Sequence, residues 1–354
     1  MDLQQVLSHS QAMLNSMADI FSSAWPSAMP SALGSYNIDP LLVSVSGFSA
    51  GGFMAVQLGI AYSSIFQAGF GVFAGGPYDC ARKQDFTTIC LFNHTPSIEL
   101  PLENMRRWSE EGKIDDLANL QERQVYLQSG SIDEIVGVAE TRQLKAQLSE
   151  FVDEDKLLYV ETEGAAHAFP TDFDAPGNSD CGISASPFVA NCGYNGAGAV
   201  FRWLYGSDLS SPPVKPDRPY PVQSFSQRGP YGAIGLADTG FIYVPRQCKR
   251  NQAPCKLHVA LHGCTMNYEQ IGDKFIQDTG YLPWAEANNI VIIFPQATVD
   301  NTLRKIWNGT EYPGGALACF DWVGSVGENA DQKGGVQMVA IVNMVKRLLM
   351  TGTE

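Results

Sequence analysis

The stretch that most constrains the fold is residues 41–53, LLVSVSGFSAGGF. Its first half is a run of aliphatic and β-branched residues suited to a buried strand, and it passes without a loop into Gly47-Phe48-Ser49-Ala50-Gly51. A G-x-S-x-G pentapeptide directly after a strand and before a helix forces a sharp turn that lifts the serine hydroxyl out at the top of a sheet. A side chain at Gly47 or Gly51 would collide with the adjoining strand or helix in so tight a turn, and glycine tolerates the strained angles. The pentapeptide alone discriminates poorly, since about 0.25 matches are expected by chance in a chain this rich in Gly and Ser. Its context has to carry the reading.

Downstream, residues 52–62 read as a helix that carries Ser49 at its N-terminal end, and 68–73 as a short apolar strand closed by Gly75-Gly76-Pro77. Residues 80–101 read as an excursion held by a disulfide, and 102–120 as helices. The strand 124–128 then runs straight into Ser129-Gly130-Ser131-Ile132-Asp133. A helix over 138–150 and a strand over 156–161 follow, leading into Ala165-Ala166-His167-Ala168-Phe169. Ser49, Asp133 and His167 therefore occur in the order nucleophile, acid, base, each just past a strand, which is the α/β-hydrolase order. The chain has five histidines. His9 falls in an N-terminal helix, His94 in a sequon loop, His258 within a strand and His262 in another motif, which leaves His167 as the base. Glu134, Asp172 and Asp174 remain alternatives to Asp133, although the last two follow the histidine and so come in the wrong order.

Residues 170–199 read as a long loop at the rim of the site, with a helix over 198–205 after it, and 207–232 reads as a linker-like, Pro-rich segment. A hydrolase should then be finished, yet the remainder looks like a missing first half. Strands over 240–245 and 256–261 lead into His262-Gly263-Cys264. An HG turn at that place supplies one backbone N–H of an oxyanion hole and the residue after the nucleophile supplies the other, here Cys264 and Ala50. The strand 290–294 and a helix over 336–349 complete the half, and joined conceptually to Tyr36 that helix would lead straight into Leu41. The expectation is a circularly permuted α/β-hydrolase fold: a mostly parallel central sheet flanked by helices in a single domain. Residues 1–35 form an N-terminal helix (3–21) and connector, and 36–354 the catalytic domain. Its nucleophile, acid and base half is 36–206, and the half carrying the oxyanion turn is 233–354.

The net charge of −14 argues against nucleic acid, which needs a basic face, and no apolar run reaches the length that spans a bilayer. The N-terminal helix lacks the Lys or Arg that a membrane-surface helix carries on its polar face. The eight cysteines include no C-x-x-C pair and no Cys/His cluster with zinc spacing. Disulfides are the better reading. Many connectivities are open, and proximity alone suggests Cys80 with Cys90, Cys181 with Cys192 and Cys248 with Cys255, leaving Cys264 for Cys319. Asn93-His94-Thr95 and Asn308-Gly309-Thr310 match the N-glycosylation acceptor pattern, which agrees with secretion. Residues 1–20 show no basic n-region or compact apolar h-region. Two alternatives stay open: a signal already removed, or a different compartment.

The rotated order, with VSGFSAGG near the start, SGSIDEIVG for the acid, GAAHAF for the base and LHGC late in the chain, resembles the circularly permuted, single-domain polyhydroxybutyrate depolymerases of fungi over residues 36–350. That resemblance implies a secreted serine esterase that cleaves poly(3-hydroxybutyrate) to short 3-hydroxybutyrate oligomers and monomer without metal or cofactor; the chain itself is expected to be monomeric. It implies a triad of Ser49, Asp133 and His167, with Ala50 and Cys264 as oxyanion donors. A hydrophobic polyester needs an apolar groove, and Trp307, Tyr312 and Trp322 lie on loops where site walls form. Trp307 is the expected substrate contact. The alternatives are a feruloyl or acetylxylan esterase, which shares the elbow and the oxyanion turn, and a non-catalytic hydrolase fold used for binding.

Overall fold

The strand Ile38–Phe48 (β1) is buried along its last six residues, as expected of a central strand covered on both faces. It pairs in parallel with Gly69–Phe73 (β2) on one side and with Cys255–Leu261 on the other. These coordinates are a computed structural model, which describes residues 30–212, 219–250 and 253–350. From Ser31 onward the chain forms one unit. The helix expected over 3–21 lies outside the described residues.

The remaining strands of the main sheet are Val125–Gly130 (β3), Leu157–Thr162 (β4), Gln223–Ser226 (β5), Thr239–Tyr243 (β6), then Cys255–Leu261 (β7) and Ile290–Phe294 (β8). The eight strands lie in the order β4-β3-β2-β1-β7-β8-β6-β5. All neighbours are parallel except at the β8/β6 and β6/β5 junctions. The fold is thus α/β with a mostly parallel central sheet. β5 falls inside the segment read as linker-like: Phe225 is fully buried, while Gln223 is exposed, so a four-residue edge strand hides in a Pro- and Ser-rich stretch. Ser31 also bridges to Phe225, so the sheet edge recruits residues assigned from sequence to the connector.

Alternation along the strands feeds two apolar clusters. Val43, Val45, Val72, Leu127, Val259 and Ile293 face the helices Ala50–Ala61 (α1), Glu99–Glu110 (α2), Val138–Leu148 (α3) and Val336–Leu349, the last with Met338, Ile341 and Val345 at helical spacing. Phe48, Phe73, Tyr126, Ala260 and Ile292 face Gly196–Tyr205 (α4) and Tyr281–Asn288 (α5) on the opposite side. Val336–Leu349 is α6. Each large apolar side chain removed from water contributes roughly 1.5–3 kcal/mol, so two covered faces hold this sheet. α1 is buried at every position, because it lies against the sheet while loops close over its outer side. The helix expected at 52–62 therefore starts two residues earlier than its pattern suggests.

Four disulfides form, Cys80–Cys90, Cys181–Cys192, Cys248–Cys255 and Cys264–Cys319, matching the pairing by proximity. The stretch 170–199 is more ordered than a loop. Phe169–Thr171, Ser179–Asp180 and Val189–Asn191 make a small parallel sheet, and Cys181–Cys192 ties it together.

Candidate active site

Ser49 sits between β1 and α1 with φ 56° and ψ −123°, a left-handed backbone that a non-glycine residue adopts only where its surroundings force it. The force is visible. The Ser49 N–H donates to Phe73 O at 2.9 Å, while a Cβ on Gly47 would stand 2.0 Å from Gly51 O and one on Gly51 would stand 2.4 Å from Leu261 O. The two glycines permit β1, α1 and the end of β7 to converge on one point.

At that point Ser49 Oγ lies 2.9 Å from His167 Nε2, and His167 Nδ1 lies 2.8 Å from Asp133 Oδ2. A carboxylate only accepts, so His167 donates from Nδ1 and its Nε2 is left to accept from the serine hydroxyl. Asp133 Oδ1 accepts the N–H groups of Ile135 at 2.8 Å and Val136 at 3.1 Å. Burial works to raise the Asp133 pKa, but the His167 charge, the bond to His167 and the two backbone N–H groups outweigh it and hold the carboxyl below the usual aspartate value. Asp133 and His167 are both buried, whereas Ser49 is partly open to solvent.

Of the acids left as alternatives, only Asp133 reaches the histidine among the described residues. Glu134 is exposed, Asp172 accepts from Asn195 Nδ2 and Asp174 from Asn191 Nδ2. The acid and base loops are locked to each other: Ile132 N–H donates to Ala165 O, and a Cβ on Gly130 would stand 2.2 Å from that same oxygen. Ser184 Oγ accepts the His167 N–H at 3.1 Å, and Phe48 stacks obliquely on the imidazole at 4.7 Å.

The turn His262-Gly263-Cys264 lies against the elbow, since a Cβ on Gly263 would stand 3.1 Å from Ser49 Cβ. Ala50 is the first residue of α1, so its N–H has no acceptor within the helix. Among the described residues no backbone carbonyl takes the Cys264 N–H either. Both N–H groups are therefore without a backbone acceptor among the described residues. Cys264–Cys319 ties this turn to the loop that carries Trp322.

A third apolar cluster, with Ala50, Phe53, Phe86, Trp307 and Trp322, gathers beside these groups. Trp322 stacks on Phe53 at 4.1 Å. Trp307 is more enclosed than its place on a loop suggests: its indole N–H donates to Glu328 O at 3.1 Å, and Arg82 lies 4.5 Å over the ring. Arg82 also pairs with the buried carboxylates of Asp79 and Asp331.

The sequence gives no role to two acids that the structure makes prominent. Asp321 Oδ1 accepts the N–H groups of Val323, Gly324 and Ser325, and its Oδ2 that of Val326, so one carboxylate fixes the loop after Trp322. An Asp ahead of a Gly-Ser run is an Asx-turn signal that could have been read. Glu140 in α3 is buried; its Oε1 accepts the His94 N–H at 2.8 Å and its Oε2 has no partner among the described residues. Burial, opposed by backbone N–H bonds from residues including His94 and reinforced by the Asp133 charge, pushes this carboxyl up to about 7. No local pattern announces it. Among the described residues no group of three or more His, Cys, Asp or Glu side chains could hold a metal ion, and no helix is long and apolar enough to cross a membrane.

No family profile matches the chain, but individual proteins do. It is 50% identical over 327 residues, 90% of its own length and 92% of the relative, to a polyhydroxybutyrate depolymerase of Talaromyces funiculosus. A poly(3-hydroxybutyrate) depolymerase of Delftia acidovorans is 36% identical over 322 residues, which cover 89% of this chain and 61% of that protein. Among solved structures, PHB depolymerase from Penicillium funiculosum superposes with a TM-score of 0.87 at 50% identity, covering 90% of this chain and 99% of that one. A serine-to-alanine PHB depolymerase complexed with an R3HB trimer aligns with the same score, identity and coverage.

Proposed function

The chain belongs to the polyhydroxybutyrate depolymerase family and is an ester hydrolase, and from that premise we propose that it is a secreted serine esterase that cleaves poly(3-hydroxybutyrate) and its oligomers to 3-hydroxybutyrate products. The observation that carries the mechanism is the unbroken hydrogen-bonded line from Ser49 through His167 to Asp133. His167 takes the serine proton as Oγ attacks the ester carbonyl, and Asp133 keeps the imidazole in the tautomer that can accept it and stabilises the imidazolium that forms. The N–H groups of Ala50 and Cys264 receive the oxyanion, each contributing roughly 3 kcal/mol to the barrier reduction. Loss of the alcohol leaves an acyl-serine, which water attacks with His167 again as base.

Polymer contact comes from the catalytic domain itself, with Trp307 as part of the groove wall and the R3HB trimer bound by the solved relative as the model for an oligomer substrate. The four disulfides support an oxidising route. Rotation of the chain order is supported at the seam. Tyr36 N–H donates to Leu348 O at 3.0 Å and Arg347 Nε to Leu33 O at 3.0 Å, so the end of α6 meets the approach to β1 as an unrotated chain would have it.

The test is clearing of a poly(3-hydroxybutyrate) suspension alongside hydrolysis of p-nitrophenyl butyrate and release of ferulate or acetate from xylan. The proposal expects clearing by the wild type and none by Ser49→Ala, with a serine-directed phosphonate labelling only the former. Hydrolysis of short esters or xylan without clearing would overturn the polymer substrate. Activity that persists in Ser49→Ala would overturn the nucleophile.

A further inference from the structure

His262 touches neither the serine nor its two partners, yet it is fully buried beside Phe320, at 4.9 Å, at the start of the oxyanion turn. Both ring nitrogens are engaged by backbone. The Ala297 N–H donates to Nε2 at 3.0 Å, and Nδ1 lies 2.7 Å from Gly263 O. Burial, opposed by the Gly263 carbonyl, pushes the pKa down to about 4, so the imidazole is neutral near pH 7. A neutral ring has one donor and one acceptor; with Nε2 accepting, the proton is on Nδ1 and is given to Gly263 O. The support is itself anchored, because the Ala297 carbonyl accepts Asn267 Nδ2 at 3.1 Å.

The Gly263 carbonyl and the Cys264 N–H belong to one peptide unit, which is planar and trans, so they point in opposite directions. Fixing one aims the other. We infer that His262 is a positioning residue for ester hydrolysis: by holding the Gly263 carbonyl it directs the Cys264 N–H at the oxyanion that forms on attack by Ser49. This rests on the reading of Cys264 as an oxyanion donor. The neighbouring constraints leave that peptide to His262. The disulfide to Cys319 holds the Cys264 side chain, and Thr265, at φ 60°, donates its N–H to Leu317 O at 2.6 Å, fixing the following unit. Gly263 lacks a side chain that would limit rotation. Its carbonyl otherwise accepts only the Met266 N–H, at the longer distance of 3.3 Å, among the described residues.

The experiment compares His262→Leu and His262→Asn with the wild type on p-nitrophenyl butyrate and on its thiono analogue, whose sulfur accepts hydrogen bonds poorly, with the folded fraction followed by thermal melting. In His262→Leu, kcat on the oxygen ester should fall roughly 10- to 100-fold, short of the full loss of a donor. KM should stay within about twofold, the pattern of an interaction made in the transition state. The preference for oxygen over thiono ester should shrink by a similar factor. His262→Asn keeps an N–H where Nδ1 stands and should recover most of that preference. An unchanged oxygen/thiono preference in folded His262→Leu would overturn the inference and make His262 a packing residue. A wild type with no preference for the oxygen ester would overturn the oxyanion assignment itself, while leaving the Ser49→Ala result to judge the nucleophile separately.

Discussion

Asp133→Asn should abolish most activity through a change of tautomer rather than of shape. Asp133 Oδ1 accepts two backbone N–H groups, from Ile135 and Val136, so an asparagine must keep its carbonyl oxygen there and turn its amide nitrogen toward His167. Facing a donor, His167 Nδ1 becomes the acceptor and Nε2 carries the proton. The imidazole then presents N–H to Ser49 and cannot take the hydroxyl proton. The same replacement in serine proteases lowers kcat by about 10⁴, and at about 1.36 kcal/mol per decade a loss of 10³ to 10⁴ here corresponds to about 4–5.5 kcal/mol of barrier. The assay is steady-state hydrolysis of p-nitrophenyl butyrate, with KM expected near the wild-type value and Glu134→Gln, on an exposed neighbour, expected within about twofold of wild type. The variant should also lose an acid-sensitive stability increment. The Asp133 pKa is lowered from 3.8 in the folded state, so its ionised form stabilises the fold above that value and the increment disappears as pH falls through the folded pKa. Folded Asp133→Asn that keeps more than about a tenth of wild-type kcat would refute the reasoning, because a wrong tautomer cannot support that rate.

Glu140→Gln should raise the melting temperature more at pH 8 than at pH 5. The folded carboxyl titrates near 7 against an ordinary 4.5; the native state therefore holds a proton that the unfolded chain has released, and wild-type stability is lost as pH rises from 4.5 through 7. Equal shifts at the two pH values would refute the buried, proton-holding state. Asp321→Asn should lower stability by about 1–3 kcal/mol, the range for removing a buried charged acceptor, since an amide nitrogen cannot accept the Val326 N–H that Oδ2 takes. An unchanged melting temperature would mean that the loop after Trp322 is held by its packing on Phe53 instead.

What could be read from the sequence follows from where its information is local. The strand Ile290–Phe294 and the helix Val336–Leu349 stand where their apolar runs and spacing put them. Three of the disulfides close loops of 10, 11 and 7 residues, where loop closure costs little, and the fourth follows by remainder. That Ser49, His167 and Asp133 meet in one hydrogen-bonded line is legible because each stands just past a strand. The parts that escaped depend on partners far along the chain. Arg82 meets Asp331 across 249 residues, and nothing near either residue announces the other. The four residues of β5 were hidden because short edge strands carry too few positions to display a period. For His262 the motif accounts for the glycine and the following N–H but assigns no task to the imidazole.

One buried network explains how residues from the two ends of the chain meet accurately enough to build the site. His258 on β7 places Nδ1 2.6 Å from Ser44 Oγ and Nε2 2.7 Å from Ser46 Oγ, both on β1, and the two serines continue to Tyr205 of α4 and Tyr281 of α5. Burial alone pushes this imidazole down to about 3, so it is a neutral bridge. The strands are related by the pair Gly47 and Leu261. Three residues beyond that pair on each strand stand Ala50 and Cys264, the two N–H groups proposed to receive the oxyanion. A slip of one residue would move the turn by about 3.3 Å and send every side chain of the strand to the opposite face. It would also leave His258 and both serines buried without partners, at about 1–3 kcal/mol for each unsatisfied group. The chemistry proposed at the top of the sheet therefore depends on a register fixed several residues below it, and that register, rather than continuity of chain, brings a turn more than two hundred residues later in the sequence against the serine at the elbow.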